Sequence, residues 1–71
     1  MIEGKISNQI RKLRFLTGEM TQQELADRVG VTRQTINAIE AAKYSPSLEV
    51  AFKIAVAFDK TILDVFTFEI K

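Results

Sequence analysis

Seventy-one residues carrying ten Lys or Arg, nine Asp or Glu, and no Cys or His leave room for one small domain held by apolar packing, because disulfides and the commonest zinc ligands are both missing. With no His, no Cys, no paired carboxylates placed by the pattern and three glycines scattered at positions 4, 18 and 30, an enzyme is not expected and neither a metal nor a cofactor is implied. No apolar run approaches the ~20 residues that cross a bilayer, and the opening MIEGKIS lacks the basic-then-apolar pattern of a secretory leader, so a cytoplasmic protein is expected.

Met1 to Ile6 is too short for a helix. The Ser7-Asn8 pair after it can cap a first helix of about Asn8 to Leu16, with Ile10, Leu13 and Leu16 on its apolar face. Arg11 and Lys12 on that helix suit a phosphate backbone, and a solvated face is the plainer reading of the same charges. Thr17-Gly18-Glu19 ends the helix, and Met20 turns inward.

The next stretch, Gln22 to Glu40, organises the chain. Thr21 and Glu24 form a capping box, so a helix begins near Gln22. Leu25, Ala26 and Val29 recur at helical spacing, and Gly30 stands where a left-handed residue stops a helix at least cost. Thr32 is an N-cap for a second helix, with Ile36 and Ile39 on its inner stripe and an end near Ala42. Two short helices joined by a tight turn, over about residues 21 to 42, are a helix-turn-helix.

A loop follows, and Pro46 puts its break near Ser45. Ser47 can cap a helix from Leu48 to about Phe58 that is apolar almost all round, which predicts burial on more than one side. Thr61 and Asp64 form a second capping box opening a short helix to about Val65. Phe66 to Lys71 then alternates apolar and polar residues with period two and reads as a strand. Its natural partner is the Met1 to Ile6 segment, making a ribbon that is marginal alone and therefore expected to pack on the last helix or across a dimer interface. Val50, Ile54, Phe66, Phe68 and Ile70 are the residues expected at such an interface.

The net charge of +1 is slight, but residues 1 to 43 carry seven basic and five acidic side chains, whereas residues 44 to 71 carry three and four. The basic excess accompanies the helix-turn-helix. In that motif the second helix enters the major groove of DNA. Its outward residues here are Arg33, Gln34, Thr35, Asn37 and Ala38. Arg can bond guanine bidentately, Gln and Asn can do so with adenine, and the methyls of Thr and Ala can touch that of thymine. The amides and side chains of Gln22 and Gln23 can hold a phosphate at a helix start. Arg11, Lys43, Tyr44 and Ser45 are further candidates for the backbone.

TQQELADRVGVTRQTINAIE, with the later PSLEVAFKIAVAF, resembles the phage-repressor and Cro type of helix-turn-helix, the xenobiotic-response-element family of bacterial and archaeal regulators. The likeness covers about residues 8 to 66, and the strand-like tail looks most like the compact cytolysin-repressor type. It implies a mainly α, five-helix, lambda-repressor-like DNA-binding domain, with a small two-stranded antiparallel β ribbon from the termini. It also implies a homodimeric repressor on an inverted-repeat operator in double-stranded DNA. Gln22, Arg33, Gln34 and Asn37 or Ala38 fall on the family's DNA-contacting positions. Arg14 and Glu40 fall on a paired Arg and Glu that would tie the first helix to the motif, if Glu19 is a one-residue insertion. A competing expectation is an antitoxin or other protein-interaction module that binds a protein partner through helix four and the C-terminal strand.

Overall fold

A computed structural model describes all 71 residues. In chain order the elements are β1 (Gly4–Asn8), α1 (Ile10–Leu16), α2 (Gln22–Val29), α3 (Arg33–Glu40), α4 (Leu48–Ala57), α5 (Ile62–Val65) and β2 (Phe66–Ile70). Five helices and one two-stranded antiparallel ribbon make up the molecule.

Most helix starts are fixed locally by a hydroxyl. Thr21 accepts from the Glu24 N–H while Glu24 accepts from the Thr21 N–H, and Thr61 and Asp64 do the same at α5. Thr32 and Ser47 cap α3 and α4 by accepting from Thr35 and Val50. Each such cap satisfies backbone donors that a helix start leaves free and is worth about 1 kcal/mol. Gly30 ends α2 at φ 85°, where any side chain would meet the strain of the left-handed region.

The inward faces of these helices meet in one core. Ile10, Leu25, Ile36, Ile39, Ile54 and Val65 are fully buried, joined by Met20, Ala26, Val29, Ala51, Ala55, Phe58 and Phe66. α2 packs on both α3 and α4, and α4 packs on α5, which runs directly into β2. Leu25, Ala26, Val29, Ile36 and Ile39 therefore hold the two motif helices to one another and to the body of the domain.

The ribbon pairs Gly4 with Ile70, Ile6 with Phe68 and Asn8 with Phe66 on one face, and Lys5 with Glu69 and Ser7 with Thr67 on the other. The period of two thus sorts an apolar face from a polar one. A Cβ at Gly4 would run into the Glu69 carbonyl and the Phe68 ring, so the strands approach there as only glycine permits.

Several boundaries differ from the sequence expectation. The first strand is Gly4–Asn8 rather than residues 1 to 6, and the last ends at Ile70. Ser7 and Asn8 are therefore strand residues, and α1 begins at Ile10. Asn8 still serves the helix start, because its Oδ1 accepts from the Ile10 N–H at 3.1 Å. α3 stops at Glu40, short of Ala42, which has turned to φ 59° while Lys43 N–H closes back on the Ala38 carbonyl.

Ile54 and Phe66 are core residues of the protomer, at 0% and 8% exposure, which leaves little of either side chain for the interface expected of them. α4 buries Ala51, Ile54 and Ala55 on one side and leaves Leu48, Phe52 and Val56 open. An almost wholly apolar helix carries no phase in its sequence, so which side turns inward is decided by packing alone.

Candidate nucleic-acid interface

Ile36 and Ile39 are locked into the core, and this rotates the other side of α3 to the surface. Arg33, Gln34 and Asn37 are exposed there, while Thr35 and Ala38 are half-buried at the edges. The Thr35 hydroxyl lies 2.9 Å from that of Thr32. The five candidate reading residues thus share the outward side of one short helix.

Behind them runs a chain of polar contacts that sequence reasoning recovered only in part. Arg14 Nη2 donates to Glu40 Oε1 at 2.7 Å, and Arg14 Nη1 donates to the Met20 carbonyl at 2.9 Å. Both side chains are largely withdrawn from solvent, at 17% and 10% exposure. The second Glu40 oxygen accepts from Gln22 Nε2 at 2.9 Å, and the same nitrogen donates to Asn37 Oδ1 at 3.1 Å. α1, α2 and α3 are therefore joined at one point by four side chains. Gln22 had no visible link to Glu40 in sequence, because a contact between positions 18 apart leaves no local periodic signal.

Asn8 adds a second tie from the ribbon. Its Nδ2 donates to the Ile39 carbonyl at 3.0 Å, satisfying one of the acceptors that a helix end leaves free. The C-terminal end of α3 is thus held by β1 and by α1 together.

Arg11 and Lys12 line the same polar cleft as Asn8, Arg14, Gln22 and Asn37. The structure brings these two cations to the side on which Asn37 of α3 is exposed. Gln23 is exposed but its amide donates to Asp27 at 2.8 Å. Lys43, Tyr44 and Ser45 are all exposed in the turn after α3.

Of the remaining interface candidates, Val50 is half-buried against the core, whereas Phe68 and Ile70 are open at 52% and 78%. Phe68 borders an apolar groove of about 400 Å³ shared with Ile6, Leu48, Ile62 and Leu63. Leu48 and Leu63 were not foreseen in that role. The four-residue α5 is too short to show a face by periodicity.

The Cro/C1-type helix-turn-helix family model matches residues 10–65. The chain belongs to this family. An uncharacterised HTH-type transcriptional regulator of Methanocaldococcus jannaschii is 48% identical over 64 residues, covering 90% of this chain and 96% of the relative. The HTH-type regulator YgzD of Bacillus subtilis is 45% identical over 64 residues with the same coverage. A solved structure of a candidate DNA-binding protein from Bacteroides fragilis superposes with a TM-score of 0.75 at 22% identity, covering 87% of this chain and 98% of that one. The five-helix domain with its terminal ribbon has the lambda-repressor-like fold. The family and the relatives' names place the chain among DNA-binding transcriptional regulators rather than enzymes.

Proposed function

We propose that this regulator is a homodimeric repressor that reads an inverted-repeat operator through the major groove. The observation that carries the reading is the division of α3: Ile36 and Ile39 are fully buried, and Arg33 and Gln34 stand exposed at the helix's first turn. Residues near the start of a reading helix are the ones that meet base edges. Arg33 suits guanine, Gln34 suits adenine, and Thr35 and Ala38 offer methyl groups to thymine. Arg11, Lys43, Tyr44 and Ser45, with the backbone amides of Gln22 and Gln23 at the start of α2, hold the phosphates on either side.

The dimer is supported by the surface around the apolar groove. Leu48, Leu63, Phe68 and Ile70 are between 52% and 79% exposed, and contiguous apolar surface of this kind marks an interaction site. A second copy covering it has to set the two α3 helices about 34 Å apart if the half-sites lie one turn of DNA apart. No helix is long and apolar enough to cross a membrane, and the proposed site of action is the cytoplasm.

Selection of binding sites from a random DNA library, with the solution mass measured alongside, tests this. A palindromic consensus and a dimer mass are expected. Failure to enrich any half-site would refute the base-reading role. A monomer that instead forms a stoichiometric complex with a second protein would favour the protein-interaction reading, with the groove as its surface.

A further inference from the structure

Asn37 is exposed on the reading helix, yet half of its amide is already committed. The direction of every hydrogen bond behind it follows from chemistry. A guanidinium only donates and an ionised carboxylate only accepts, so Arg14 fixes Glu40 through Oε1 and leaves Oε2 as an acceptor. The Gln22 atom 2.9 Å from Oε2 must therefore be the amide nitrogen. That nitrogen has one hydrogen left, directed at Asn37 over 3.1 Å, and the atom receiving it must be the amide oxygen Oδ1. With Oδ1 held on the Gln22 side, Nδ2 and its two hydrogens are the part of the Asn37 amide left uncommitted.

We propose that Asn37 is a specificity residue that presents its amide donor, with its polarity set by Arg14, Glu40 and Gln22, and that it selects guanine. The inference rests on the base-reading role proposed above and sharpens it. Bidentate pairing of Asn with adenine needs the amide oxygen to accept from adenine N6 and the nitrogen to donate to N7. Here Oδ1 is anchored by Gln22 and keeps only its second lone pair for adenine N6, so the adenine pair is weakened. Guanine offers acceptors at both O6 and N7, and two hydrogens on one nitrogen can serve them. Glu40 touches no base in this scheme; it is a positioning residue acting through Gln22.

Site selection with four proteins tests the assignment: the wild type, Asn37→Ala, Asn37→Asp and Glu40→Gln. Asn37→Ala identifies the position, because preference disappears there. Guanine is expected at that position in the wild type, favoured over adenine by about ten- to a hundredfold. Asn37→Asp can still accept from Gln22 but presents only an acceptor outward, so the preference should switch to cytosine, whose N4 donates. Glu40→Gln lets the Gln22 and Asn37 amides turn over, so guanine and adenine should be bound within a few-fold of each other. A merely structural Glu40 would lower affinity for every sequence alike and leave the ranking intact. Adenine at the Asn37 position in the wild type, or an unaltered base ranking in both Asn37→Asp and Glu40→Gln, would overturn the assignment. No enriched sequence at all would remove the base-reading function and this proposal with it.

Discussion

The Arg14 guanidinium and the Glu40 carboxylate meet at 2.7 Å, joining the end of α1 to the end of α3 across 26 positions of sequence. Taking one charge away leaves the other partly buried and unpaired. Glu40→Ala should therefore cost about 2 to 3 kcal/mol, less than a fully buried pair because both groups keep some solvent. Arg14→Ala should cost a similar amount, and the double variant should cost clearly less than the two single losses added. Urea unfolding of the four proteins checks this, and additive losses would contradict a direct pairing.

Ile54 and Leu63 should separate core from interface. Ile54→Ala opens a cavity in the protomer and should cost about 2 to 5 kcal/mol, a large share of the ~5 to 15 kcal/mol of a whole domain. Leu63→Lys should leave the helical circular-dichroism signal in place and convert a dimer to a monomer in sedimentation. A Leu63→Lys protein that stays dimeric would move the interface elsewhere.

Contacts to phosphate and contacts to bases have different salt signatures. Lys43→Ala should weaken binding to all sequences about equally and lower the slope of log affinity against log salt by about one. Gln34→Ala should act at one position of the operator, at about 1 to 3 kcal/mol, with the slope unchanged. Titrations at several salt concentrations distinguish the two, and a sequence-dependent Lys43 effect would contradict its role.

Asp64 provides a pH handle. The Thr61 backbone N–H and then the Thr61 hydroxyl bond its carboxylate and hold its pKa below the usual value of 3.8, with Lys60 contributing less. A depressed folded-state pKa means the stabilisation is fully present above the unfolded value and is lost as pH falls through the folded one. An NMR titration of the Asp64 carboxyl should give a midpoint below 3.8 in the folded protein, and Asp64→Asn should remove this part of the acid sensitivity. A midpoint at or above 3.8 would mean that the capping box is open in solution.

What could be read from sequence was what is local. Thr21 with Glu24, Thr61 with Asp64, and Gly30 announce helix ends because capping acts over three or four residues, and Ile36 with Ile39 give α3 its inner face by spacing alone. Asn8 shows the limit. Its type suggested a cap for α1, and it does bond the Ile10 N–H, but its amide nitrogen reaches the Ile39 carbonyl across 31 positions, which no window of neighbouring residues contains. Gln22 was legible as a residue at a helix start and not as the link between Glu40 and Asn37. Ile54 and Phe66 were expected at an interface and are buried in the protomer, because neither an almost wholly apolar helix nor the apolar face of a strand says which of its side chains meet their own core.

The β1–β2 ribbon has a consequence for how the molecule is made. Ser7 and Thr67 share a hydrogen bond 60 positions apart, so the first strand emerges from the ribosome long before its partner exists. The helices between can condense earlier, through contacts closer in sequence, whereas the ribbon must wait for the closure of a long loop. In that interval β1 is an unpaired edge, open to the β2 of a neighbouring chain. Crowded synthesis therefore favours strand exchange between copies, and dilute synthesis favours the closed protomer.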